Sequence, residues 1–104
     1  MVNPLAGEVS VVIDGTPHVC KLTLGALAEL EAQLDEPSLV ALVQRFEGGD
    51  YAGRDVMALI VAGLRGGGWQ GTAQDLLTAE IAGGPVGAAQ VAATLLARAF
   101  TPPA

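Results

Sequence analysis

From Glu8 to Leu22 apolar and polar residues alternate, with one interruption at Asp14-Gly15. Alternation sends every second side chain to one face of a strand. Asp-Gly favours the positive backbone angles of a two-residue type I′ turn. The segment is therefore predicted to form a β-hairpin in which Ile13 faces Thr16, Val11 faces His18 and Val9 faces Cys20. Val9, Val11, Ile13, Cys20 and Leu22 make its core face, with His18 on the same side. Glu8 would lie opposite Lys21 as an ion pair worth less than about 1 kcal/mol. Pro17 has no amide hydrogen, so its backbone nitrogen should point away from the pairing. A lone hairpin is marginal in water and needs helices behind it.

Beyond Leu22 the period lengthens. Thr23 is a good N-cap for a helix over about 24–34, with Leu24, Leu27, Leu30 and Leu34 as its buried stripe. Asp35-Glu36-Pro37 ends it and opens a second helix over 37–47, Pro37 suiting the first turn. That helix turns Leu39, Leu42, Val43 and Phe46 inward and stops at Gly48-Gly49. A third, over 54–65, buries Val56, Leu59, Ile60 and Leu64 before Gly66-Gly67-Gly68. Thr72 followed by Asp75 resembles a capping box and opens a short helix over 73–81. After Gly83-Gly84-Pro85 the last helix runs over 85–100, with Val86, Ala89, Ala93, Leu96 and Phe100 on its inner face. The tail 101–104, with two prolines, cannot stay helical. The fold class is α+β: one hairpin over 8–22, then four to five short helices, in a single domain over 1–104.

Composition changes the picture in one respect. Of the 104 residues 51% are hydrophobic and only 15% charged, against a usual charged share of about 25%. A chain this size hides roughly 64% of its unfolded surface, so apolar area in excess of one modest core is expected, and such excess marks a protein partner. Much of the count is alanine, which also sits harmlessly on helix surfaces. The net charge of −6 and pI near 4.4 oppose binding to nucleic acid, which demands clustered Lys and Arg. Cys20 alone cannot form an internal disulfide and fits a reducing compartment. Met1-Val2-Asn3-Pro4 lacks the features of a signal peptide. The apolar run from Val56 to Leu64 falls far short of the roughly 20 residues of a membrane span. These features predict a soluble, cytoplasmic protein.

Candidate chemistry is sparse. His18 and Cys20 share a strand face but stand about 7 Å apart along it, and a cysteine nucleophile needs its base within hydrogen-bond reach. One Cys and one His also fall short of a four-ligand zinc set. Gly66 to Gly68 follow a helix and precede no lysine, unlike a phosphate loop, and are read as a C-cap with a flexible connection. Glu29, Glu31, Asp35 and Glu36 read as a solvated face. No catalytic, cofactor-binding or metal-binding residue is expected, and the chain is read as non-enzymatic. Trp69, the only tryptophan, either anchors a partner or closes the core edge near Leu64. Leu64, Arg65 and Trp69 are taken as partner contacts, because an arginine and an aromatic flank the glycine loop.

Four segments carry a family resemblance: Gly7-Glu8-Val9 leading to Ile13-Asp14-Gly15; Leu22-Thr23-Leu24-Gly25-Ala26-Leu27-Ala28-Glu29-Leu30-Glu31; Gly63-Leu64-Arg65-Gly66-Gly67-Gly68; and Leu95-Leu96-Ala97-Arg98-Ala99-Phe100. Together, over about residues 3 to 100, they resemble the small tail-morphogenesis proteins of alphaproteobacterial gene transfer agents, phage-like particles that package and transfer host DNA. The resemblance implies one of two roles. The favoured one is a tail assembly chaperone that binds the tape-measure protein before the tube polymerises, a task that suits a mostly helical, acidic, apolar-rich chain with one short hairpin. The other is a structural tail tube component, incorporated in the particle beside other tube subunits. It implies no cofactor, and a homo-oligomer through hairpin edges or the alanine-rich last helix is compatible with either role. A small enzyme or ligand carrier with a site between hairpin and helices would rest on His18 and Cys20 alone.

Overall fold

A computed structural model describes residue 3, residues 6–33 and residues 39–100. Asp14 and Gly15 both take positive φ, 50° and 80°, and close strand β1 (Val9–Ile13) on strand β2 (Thr16–Cys20). The antiparallel register is the one the alternation predicts, with Val9 opposite Cys20, Val11 opposite His18 and Ile13 opposite Thr16. Val9, Val11, Ile13, Cys20 and Leu22 are all buried. The ladder ends at the Val9–Cys20 pair, so Glu8 and Lys21 lie beyond it. The Glu8 carboxylate accepts the Asn3 amide hydrogen (2.7 Å), and the Lys21 N–H is donated to the Gly63 carbonyl (2.8 Å).

Five helices follow: α1 (Leu24–Gln33), α2 (Leu39–Gly48), α3 (Gly53–Gly66), α4 (Ala73–Leu76) and α5 (Gly84–Phe100). Helix α3 is the axis of the molecule. Its residues from Leu59 to Leu64 are buried without interruption, as an all-round apolar sequence requires, and it packs against β2, α1, α4 and α5. The Thr23 hydroxyl accepts the Ala26 N–H (3.1 Å) and caps α1. That helix does not bury Leu24, which is 85% exposed; Ala26 and Leu30 face the core instead. Ala26 lies against Gly66 of α3, and bringing this small pair together turns Leu24, two residues away, to the opposite side. Leu34 and Asp35-Glu36-Pro37 lie outside the described residues, as does the tail 101–104.

Two connections differ from expectation. Helix α4 stops at Leu76 although the Thr72 N–H is held by the Asp75 carboxylate (2.8 Å) as a capping box predicts. Residues 80–82 run instead beside β1. The Asp14 N–H is donated to the Glu80 carbonyl (2.8 Å), the Ala82 N–H to the Val12 carbonyl (3.0 Å), and Ile13 bridges Ile81. An edge strand has unpaired backbone groups that need partners, and this segment supplies two of them, at Val12 and Asp14. The triple glycine is likewise not a loose connection. Gly66 ends α3 and Gly67 follows it, both pressed on the outer edge of β2, so a Cβ on either would meet the carbonyl oxygens of Lys21 and Val19 respectively. Only Gly68, at φ 104°, takes a left-handed backbone.

Candidate functional site

Leu64 and Trp69 stay together, the Trp69 N–H donating to the Leu64 carbonyl (2.9 Å), and only Arg65 points away from the core. Leu64 is fully buried in the core. Arg65 projects outward, and its Nε reaches the Glu29 carboxylate at 3.3 Å, a surface pair worth less than about 1 kcal/mol. Trp69 is half-buried against the core edge, with its ring over Gly71, where a side chain would collide with it. Of the four candidate carboxylates, Glu29 pairs with Arg65, Glu31 is exposed, and Asp35 and Glu36 lie outside the described residues.

Cys20 is fully buried, and that burial pushes its thiol from 9.0 up to about 12. The thiolate needed for nucleophilic attack is therefore negligible near neutrality. Between those two pH values only the unfolded chain can ionise at this position. The stabilisation is thus complete below about pH 9 and declines as pH rises towards 12. Wild-type chain should lose melting temperature across this window faster than Cys20→Ala does, and a thiol reagent at neutral pH should label native chain only at its unfolding rate. Labelling as fast as a free thiol would overturn this account.

An extended open apolar surface lies elsewhere, on α5. The predicted inner face of that helix is its outer face. Val86 is 69% and Phe100 48% exposed, Ala93 is exposed and Ala89 half-buried; of the predicted set only Leu96 is in the core. Ala88, Ala92 and Leu95 are buried in their place. The shift is about one residue, a turn of about 100°. Two contacts fix it: Leu95 lies against Gly63 of α3 and the Arg98 guanidinium donates to the Glu8 carbonyl. The consequence is a helix with two apolar faces, one against α3 and β1 and one uncovered.

The uncovered face forms the floor of a trough. A depression of about 580 Å³, lined by Phe46, Tyr51, Val56, Val86 and Ala89 among others, meets one of about 450 Å³ at Phe46 and Ala93; the second extends to Ala97 and Phe100. A third, of about 670 Å³, joins the first at Pro85 and Ala88 and reaches Val12 and Ile81. It is the space between hairpin and helices, and neither His18 nor Cys20 lines it. Helix α2 makes the opposite wall, with the Phe46 ring stacked on Tyr51 at 4.6 Å and 8° between planes.

Helix α2 is held to the body by its apolar face, where Leu39, Val43 and Phe46 pack against the core beside Leu42, and by an ion pair. Leu42 is its one fully buried side chain. The Arg45 Nη2 also donates to Asp55 Oδ1 at 2.7 Å, while Asp55 Oδ2 accepts the Ala52 N–H at 2.7 Å and so caps α3. Among the described residues, the charged ones lining the three depressions are Glu47, in the second, and Glu80, in the third, and none is basic. An apolar floor between helices with an acidic rim can hold an apolar segment, and brings no nucleophile or acid–base pair together. Among the described residues no helix is long and apolar enough to cross a membrane. Sequence pattern located the residues of this trough but assigned them to the core; the compositional excess of apolar residues was the signal that one such face stays open.

Over residues 6–101 the chain matches the family described as Phage tail tube protein, GTA-gp10. No curated protein and no solved structure matches it.

Proposed function

The chain belongs to the GTA-gp10 phage tail tube protein family, and from that premise we propose that it is a tail assembly chaperone. In this role it holds apolar helical segments of the tape-measure protein in the cytoplasm until the tube closes around them, without catalysing a reaction. One observation supports the reading above others: both sheet edges are partly covered while the helical face stays open. The sheet has two strands; the outer edge of β1 is bonded by residues 80–82 at its Val12–Asp14 end and that of β2 meets the end of α3. A tube subunit commonly joins its sheet to those of its neighbours, and edges so short and partly covered leave little room for another strand. An open trough between helices is instead a groove for a helical segment.

The family's description favours the other role, a structural component of the tube. Quantitative mass spectrometry of purified particles and of the producing cells separates the two. A chaperone is abundant in cells and absent from finished particles. Copy numbers in the particle like those of the tube would make the chain structural and overturn the proposal.

A further inference from the structure

We infer that the trough between α2 and α5 is the docking site for a single amphipathic helix of the partner, seated along Ala89, Ala93 and Ala97 and carrying Lys or Arg beside its apolar stripe. The inference rests on the chaperone reading and adds to it the face, the secondary structure and the charge of the occupant.

The secondary structure follows from the walls. Both are helices, whose backbone groups bond within themselves, so a strand laid between them would bury N–H and C=O groups without partners. A helix satisfies its own. Ala89, Ala93 and Ala97 are spaced by four and stand one above another on α5. Their small side chains let a second helix axis approach to about 8 Å, the close end of the usual range. Val86 and Phe100, both exposed, bound the row at its two ends. They are separated by 14 residues, a length of about 21 Å, which matches some four turns of a docked helix.

Charge decides between a foreign helix and a second copy. The lining of the trough between α2 and α5 carries Glu47 and, among the described residues, no basic residue, Asp50 is exposed beside Tyr51, and the chain bears −6 overall. A second copy would bring the same acidic rim to an acidic rim. A helix with basic flanks meets complementary charge, which speeds encounter and fixes register.

The test places a photo-crosslinking benzoylphenylalanine at Ala93 or, as a control, at exposed Leu77 in the full chain co-expressed with the tape-measure protein. Crosslinked peptides are then mapped by mass spectrometry. The expected result is crosslinking from position 93, and not from 77, to a partner segment with apolar residues at three- and four-residue spacing flanked by Lys or Arg. Ala93→Glu, at a position open to solvent, should keep the melting temperature and weaken the complex at least about tenfold. A complex that forms but crosslinks only through 77, or through 93 to an acidic segment, overturns this inference and leaves the chaperone reading standing. Crosslinks from 93 to a second copy overturn the choice of occupant. Failure to form any complex overturns both.

Discussion

A chain carrying Gly66→Ala melts about 15 °C below wild type, the shift that roughly 3 kcal/mol produces in a domain of this size. At Gly66 an added Cβ would meet the Lys21 carbonyl oxygen inside contact distance, and at the neighbouring Gly67 it would meet that of Val19. Both obstacles are backbone atoms, so no rotamer change relieves them. The end of α3 must retreat from β2, at an overpacking cost of about 1–3 kcal/mol. Retreat also stretches the bond from the Lys21 N–H to the Gly63 carbonyl (2.8 Å), worth about 1 kcal/mol more. Gly53→Ala is the control. It lies in the first turn of the same helix with nothing within 4 Å of its added Cβ, and the gain in helix propensity should leave stability equal or slightly raised. Equal melting temperatures for Gly66→Ala and Gly53→Ala would show that the close approach of α3 and β2 does not hold the fold together.

The same glycines mark the boundary of what the chain discloses before it folds. The register of the hairpin was legible, because strict alternation and an Asp-Gly turn leave one pairing that buries Val9, Val11 and Ile13 together. The third helix was legible because no rotation of it avoids burying apolar residues. Gly66 and Gly67 looked like a loose connection because their partners, Lys21 and Val19, lie more than forty positions away. Helix α4 ended early for a similar reason: residues 80–82 answer the needs of β1, a demand that local propensity does not register. The phase of α5 was the least legible feature. In a helix of alanines interrupted by Val86, Val91, Leu95, Leu96 and Phe100, two stripes have similar apolar character. Which one is buried was settled by the fit of Leu95 to Gly63 and by the reach of Arg98 to Glu8. The trough exists because the rejected stripe is apolar as well.

Arg45→Ala should cost about 3 kcal/mol and, in doing so, dismantle one wall of that trough. Asp55 is 2% exposed, with one oxygen on the Arg45 guanidinium and the other on the Ala52 amide, each at 2.7 Å. Removing the arginine leaves a carboxylate in the core with the Ala52 amide but without its counter-charge, and breaking a buried pair from one side costs about 3–5 kcal/mol; the partial exposure of Arg45, 25%, places this case at the lower end. The loss falls unevenly. The α3 cap survives on Ala52, while α2 keeps only its apolar contacts, buried Leu42 with the half-buried Leu39, Val43 and Phe46. Helix α2 should therefore open locally before the rest unfolds, as weakly anchored units do. Amide hydrogen exchange would show it: protection lost over Leu39–Gly48 in Arg45→Ala and retained at Leu59–Leu64 and Leu95–Leu96. Because Phe46 leaves with α2, binding to the tape-measure protein should fall in parallel, although no residue of the trough floor has changed. Exchange rates in α2 equal to wild type would mean that its apolar contacts alone seat the helix and that the ion pair serves only the cap. Protection lost in α2 with binding intact would place the docking site somewhere other than between α2 and α5.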